Sequence, residues 1–137
     1  MSRPYKYIEH TADLGIEVFG NTMVELFVNI GRAIFETQII GNVKARTQTT
    51  IKITSDTIED LFIDWCRELL YHFSVRGFIP KQYTLSFENM SLVARLSGDV
   101  YDPKRHKTKL EIKNPTYHNL RIEKMEAGYQ ATIIFDV

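Results

Sequence analysis

Thr57-Ile58-Glu59-Asp60-Leu61-Phe62-Ile63-Asp64-Trp65-Cys66-Arg67-Glu68-Leu69-Leu70-Tyr71-His72-Phe73-Ser74-Val75-Arg76-Gly77 is the stretch that decides the fold. Ile58, Leu61, Phe62, Trp65, Leu69, Leu70 and Phe73 recur with the helical period and form one apolar face. Thr57-Ile58-Glu59-Asp60 opens this helix. Gly77 supplies a C-terminal stop, and Pro80 supports an end before it. An amphipathic helix of this kind needs an apolar partner, and the flanking sequence supplies one.

Upstream, Thr22-Met23-Val24-Glu25 has the form of a capping box. Leu26, Phe27, Ile30, Ala33 and Ile34 follow at helical spacing, which predicts a first helix from about Met23 to Gln38. Gly41-Asn42 marks a loop after it. Leu14 to Gly20 alternates, with Leu14, Ile16 and Val18 on one face, and reads as a strand with one buried side. Tyr5 to Ile8 suits a short strand, and Thr49 to Thr54 another, with Ile51 and Ile53 inward.

Downstream the chain is strand-rich. Tyr83 to Glu88 and Leu92 to Leu96 flank Asn89-Met90 as a hairpin. Leu110 to Lys113 and Leu120 to Lys124 read as weaker strands broken by Asn114-Pro115. After Gly128, Tyr129, Ala131, Ile133 and Phe135 share one face of a last strand. The pattern predicts an α+β fold, with two helices packed on one side of a mostly antiparallel sheet. No repeat, low-complexity tract or long linker divides residues 1–137, so one domain is expected.

Composition narrows the function. Lys plus Arg and Asp plus Glu are equal at 17 each, without the basic excess of a protein that clamps many phosphates. Any dealing with RNA is therefore expected to be indirect. The single cysteine, Cys66, allows no intrachain disulfide and agrees with a reducing compartment. No apolar run approaches the roughly 20 residues of a membrane span, and the first residues lack a signal-peptide stretch. A soluble, cytoplasmic protein without membrane contact is expected. The 7 Tyr and 8 Phe lie at core periodicity and are not interleaved with basic residues. No phosphate-binding glycine loop, serine elbow or exposed cysteine nucleophile is present.

The densest polar group is Glu9, His10, Thr11 and Asp13, between two strands, where functional groups often sit on a rigid scaffold. Turn hydrogen bonds by Thr11 and Asp13 are the plain alternative. Gly15 permits a close approach to the backbone. At the other end, Asp136-Val137 follows directly on a strong strand, so a terminal carboxylate is expected beside the Asp136 side chain. Two negative groups held together call for neutralisation, by a hard divalent cation or by Lys or Arg. Asp13 would add a third oxygen donor if the fold brought it there. A zinc reading of His10 and Asp13 fails, because Cys66, His72, His106 and His118 match no zinc spacing. Cys66 reads as a packing residue, and His72 as a helix-surface residue. Gly98 to His106 is a polar segment with both charge signs, either a solvated connection or a docking surface for a partner. Lys113 is either a solubilising residue or a counter-charge for the acidic group.

Taken in order, Glu9-His10-Thr11-Ala12-Asp13-Leu14-Gly15, Asp60-Leu61 through Trp65 to Glu68-Leu69-Leu70-Tyr71, Tyr101-Asp102-Pro103 with Arg105-His106, Thr116-Tyr117-His118, and Phe135-Asp136-Val137 resemble the archease pattern. The resemblance covers essentially the whole chain, and its specific parts are the opening motif and the acidic C-terminal residues. It implies an accessory protein, not an enzyme, that assists a GTP-dependent RNA ligase in tRNA splicing or RNA repair. It would promote guanylylation of that ligase and its multiple turnover.

By the same resemblance a divalent metal, calcium first and magnesium or manganese as alternatives, would be held by Asp13, Asp136 and Val137. Glu9, His10, Lys113 and His118 would be the residues facing a partner. Lys113 is followed here by Asn114-Pro115, where the family more usually has small apolar residues. Two other classes stay open on the residues alone. One is a general chaperone or interaction module with a structural metal. The other is a metal-dependent hydrolase using Glu9 or His10 as general base.

Overall fold

Helix α1 spans Met23–Gln38, as the capping box and spacing predict, and the Thr22 hydroxyl accepts the Glu25 backbone N–H at 3.1 Å. Helix α2 spans Ile58–Arg76 and begins the same way, with the Thr57 hydroxyl accepting from Asp60. It ends at Gly77, whose φ of 68° is the left-handed conformation that glycine adopts without a Cβ penalty. The computed structural model describes residues 4–8 and 13–137.

The strands are β1 (Tyr5–Ile8), β2 (Leu14–Gly20), β3 (Ile39–Gly41), β4 (Thr47–Thr54), β5 (Phe78–Glu88), β6 (Ser91–Val100), β7 (His106–Thr108), β8 (Asn114–Met125) and β9 (Gly128–Asp136). They form a four-stranded sheet in the order β1-β2-β9-β8, a three-stranded sheet β4-β6-β5 and a two-stranded sheet β3-β7. All of the pairings are antiparallel. The fold is thus α+β with two helices and antiparallel sheets, as expected. The strands divide among separate sheets, and each helix touches strands of both larger ones: α1 packs on β2, β9 and β5, and α2 on β8, β4, β5 and β6.

One core results. Ile16, Val18, Ile133 and Phe135 enter it from the four-stranded sheet, and Ile51, Leu92, Ala94 and Leu96 from the three-stranded one. Between them lie Phe27, Phe62 and Trp65, all fully buried. The Trp65 indole donates to the Phe27 carbonyl at 2.9 Å, so burial of this ring leaves no orphaned donor and ties α2 to α1. Phe27 meets Phe62 and Phe87 edge-on, at centroid separations of 5.2 and 5.0 Å.

Three readings of the strand-rich half need correction. The hairpin is longer than its alternation suggests, because β5 begins at Phe78 and β6 continues to Val100. Pro80 lies inside β5, an edge strand, at a register shift where a missing N–H is tolerated. Asn114-Pro115 likewise opens β8 and does not interrupt it, because β8 is an edge strand of its sheet. Leu110 to Lys113 forms no strand, since its neighbourhood hangs on a helix end instead. The Lys109 N–H donates to the Gln38 carbonyl at 2.7 Å, and the Ile112 N–H to Gln38 Oε1 at 2.9 Å. Among the described residues, no helix is long and apolar enough to cross a membrane.

Candidate functional site

The central strand pair of the four-stranded sheet joins distant parts of the sequence. β2 and β9 run antiparallel from Gly20↔Tyr129 to Leu14↔Phe135. Asp13 immediately precedes Leu14, and Asp136 immediately follows Phe135. The two acidic residues therefore stand beside one another at the same edge, one step beyond the last registered pair. On the far side of β9, Asn114 of β8 is paired with Asp136, and the Lys113 N–H donates to the Asp136 carbonyl at 2.9 Å. Asp13 is half-buried, while Lys113, Asp136 and Val137 are exposed.

The scaffold behind this edge is apolar. Gly15 is paired with Ile8 on one side and Ile134 on the other. The close approach that Gly15 permits is used by the Ile8 side chain, which occupies the space a Cβ would need. Ile134, on the face of β9 opposite Ile133 and Phe135, is also buried, at 2% exposed. The acidic edge thus rises from a packed platform.

Of the residues singled out from sequence, Asp13, Asp136, Val137 and Lys113 come to this edge. Glu9 and His10, with Thr11, lie outside the described residues. His118 is exposed on β8, four residues beyond Asn114, or on the order of 13 Å along a strand. It sits in the irregular stretch of β8 between Thr116 and Arg121, where Asn119 has a φ of 55°. Its neighbours have structural work: the Thr116 hydroxyl donates to the Ile134 carbonyl at 2.8 Å. The Tyr117 hydroxyl donates to Asp60 at 2.5 Å, fastening β8 to the first turn of α2. That bond to Asp60 raises the Tyr117 pKa.

The segment from Gly98 to His106 is more than a solvated connection: Val100, Pro103 and Lys104 are exposed, but two of its polar side chains are buried. Asp99 is 1% exposed and His106 2%. The Asp99 carboxylate accepts both terminal nitrogens of Arg105, at 2.7 and 3.1 Å, and the backbone N–H groups of Lys44 and Val100, at 3.0 and 2.9 Å. The Arg105 guanidinium holds the Asp99 pKa well below the usual carboxylate range, against the opposing effect of burial and with help from the two backbone donors. His106 Nδ1 accepts the Asp102 N–H at 2.9 Å, which leaves Nε2 to donate to the Asn42 carbonyl at 2.9 Å. The Tyr101-Asp102-Pro103 turn and the Asn42 to Lys44 connection are thereby stapled together. Alternation along β6 gives no hint of this, because Asp99 falls on the face opposite Leu92, Ala94 and Leu96.

Cys66 is fully buried, and burial pushes its thiol pKa up, as expected of a packing residue. His72 is half-buried on α2 beside Arg76, at 2.7 Å, and desolvation followed by the Arg76 charge lowers its pKa. Among the described residues, no group of three His, Cys, Asp or Glu side chains comes together as a metal cage. At this end of the sheet the β2–β9 register brings the backbones of two residues with carboxylate side chains next to each other. Carboxylates are hard oxygen donors, the type that calcium and magnesium take.

Residues 5–137 match the family model of the archease protein family (MTH1598/TM1083). Protein archease of Methanosarcina acetivorans is 35% identical over 141 residues, covering 98% of this chain and 97% of the relative. Protein archease of Pyrococcus furiosus is 28% identical over 141 residues, covering 98% and 99%. Among solved structures, protein 1598 of Methanobacterium thermoautotrophicum shares the fold with a TM-score of 0.80, at 24% identity over 98% of this chain and 99% of that one. A Thermotoga maritima protein described as an archease and possible chaperone has a TM-score of 0.69 at 25% identity, covering 100% and 98%.

Proposed function

This chain belongs to the archease family, and from that premise we propose that it is a metal-binding accessory protein that activates a GTP-dependent RNA ligase. In this reading it promotes guanylylation of the ligase and its multiple turnover, in tRNA splicing or RNA repair, and catalyses no reaction of its own. The observation that carries the reading is the register of β2 on β9, which sets Asp13 beside Asp136. Residues that the family resemblance assigns to one metal, from opposite ends of the sequence, are neighbours in the fold.

Asp13 and Asp136 would hold the ion, calcium by preference and magnesium or manganese as alternatives, with an oxygen of Val137 as a third donor. Bound there, a hard divalent cation supplies charge neutralisation and open coordination positions, because calcium takes six to eight oxygen ligands. The chain's own part is positional. The β2–β9 ladder brings the two backbones side by side, and the Lys113 N–H holds the Asp136 backbone. Lys113 stands at the edge as a cation that can meet an acidic or phosphate group of the partner. RNA is met through the ligase, in keeping with a net charge of zero.

Guanylylation of the ligase is the test, measured with Asp13→Ala or Asp136→Ala in place of the parent chain. The expected result is a loss of stimulation by each variant. Full stimulation by both would overturn the proposal. The description of the Thermotoga maritima relative as a possible chaperone favours a second reading, an interaction module in which the metal is structural. In that case the same variants lose thermal stability and keep their effect on the ligase.

A further inference from the structure

A cleft of about 600 Å³ opens between the C-terminal half of α2 and segment 108–114. That volume lies within the range of small-molecule sites, roughly 300–1,000 Å³. Two cations, Arg67 and Lys113, line it against one acid, Glu111. Arg67 also forms an exposed pair with Asp64 at 3.2 Å, which is weak and exchangeable. Leu70 and Phe73 give the cleft an apolar wall, and Tyr71 stands at it 57% exposed.

Gln38 also lines the cleft and is 1% exposed. Its Oε1 is committed to the Ile112 N–H, which fixes the orientation of the amide. Its Nε2 has no hydrogen-bond partner among the described residues. A buried amide donor left unpaired is costly, of a kind that native structures seldom keep without a reason. Two cations, an unpaired buried donor and an aromatic ring lining one cleft describe the complement of one ligand type. We infer that this cleft binds a small phosphate ester, its phosphate held by Arg67 and Lys113 and its apolar body laid against Tyr71 and Phe73. Gln38 Nε2 donates to one of its acceptor oxygens.

Lys113 and Asn114 belong both to the cleft and to the flank of the acidic edge, so the ligand would sit next to the Asp136 strand end. The inference rests on the cleft alone. A chain that fails the following test but still stimulates the ligase leaves the accessory reading intact.

Phenyl phosphate, inorganic phosphate and benzoate are titrated separately into the ¹⁵N-labelled full chain, without ligase or divalent metal. The amide resonances of Ile112, Lys113 and Asn114 are followed. Saturable shifts with phenyl phosphate are expected, with several-fold weaker binding of the other two probes. Arg67→Ala and Lys113→Ala should each weaken phenyl phosphate binding roughly tenfold or more, the usual effect of losing a charge-assisted hydrogen bond. Gln38→Glu keeps the acceptor for Ile112 but replaces the donor with an anionic oxygen, and should weaken binding as well. If that buried change unfolds the chain, the two surface variants still decide the matter. Absence of saturable shifts, parent affinity in both surface variants, or equal affinity for benzoate or inorganic phosphate would overturn the assignment.

Discussion

Replacing Asp99 by Asn removes one charge from the buried staple and almost nothing from its shape. In the parent each carboxylate oxygen accepts two donors: Lys44 N–H and one Arg105 nitrogen on Oδ2, Val100 N–H and the other Arg105 nitrogen on Oδ1. In the variant one of those oxygens becomes an NH₂ group, which faces two donors and can accept neither. Hydrogen bonds to charged groups contribute about 1.5–3 kcal/mol each. Loss of two would cost roughly 3–6 kcal/mol, but the Arg105 side chain is 25% exposed and can turn partly to water. A destabilisation of about 3 kcal/mol is therefore expected, or a fall in Tm on the order of 10 °C for a domain of this size. Circular dichroism melting at pH 7 reads it directly.

The pH dependence supplies an internal control for that experiment. The folded-state pKa of Asp99 lies below its unfolded value, so its stabilisation is complete above the unfolded pKa of about 3.9. It is lost as pH falls from there through the folded value. The stability gap between parent and Asp99→Asn should be widest at neutral pH and shrink below about pH 4. A variant that melts within about 2 °C of the parent at pH 7, or a gap that widens in acid, would refute the staple.

Trp65→Phe should destabilise by about 2–4 kcal/mol in urea unfolding, because it leaves a void and removes the indole bond to the Phe27 carbonyl, whereas an exposed substitution such as Tyr71→Phe should be near neutral. Gly77→Ala should cost about 1–2 kcal/mol by the same measurement. Its φ of 68° disfavours a side chain, and the new Cβ would meet the Tyr101 Cβ at 3.3 Å. Cys66 should resist a disulfide reagent in the native protein and react at the rate of unfolding, since it is buried and its thiol pKa is raised. Prompt native-state labelling would contradict the packing.

Both helices were legible because local rules decide them. Thr22 and Thr57 cap where the first turns require an acceptor, Gly77 stops α2, and the apolar stripes face the core. The long strands showed through alternation, as in Ile16 and Val18 against Ile133 and Phe135. What stayed hidden depends on partners distant in sequence. β3 and β7 are three residues each, too short to carry a period, and exist because they pair with each other. Pro115 looked like a break because its place on an edge strand is a property of the sheet, not of the local sequence. The polarity of Asp99 and His106 suggested solvent, and only the arrival of Arg105, Lys44 and Asn42 makes their burial tolerable. The candidate site shows the same division. Asp13 and Asp136 stood out individually as residues, but their adjacency is a consequence of the β2–β9 register.

That adjacency is tested most directly by a crystal structure of the full chain grown in millimolar calcium, with the ion located by its anomalous scattering. The expected result is one calcium at the edge of the four-stranded sheet, bound by carboxylate oxygens of both Asp13 and Asp136. An ion bound elsewhere, an ion that engages only one of the two, or no ion at that edge would contradict it.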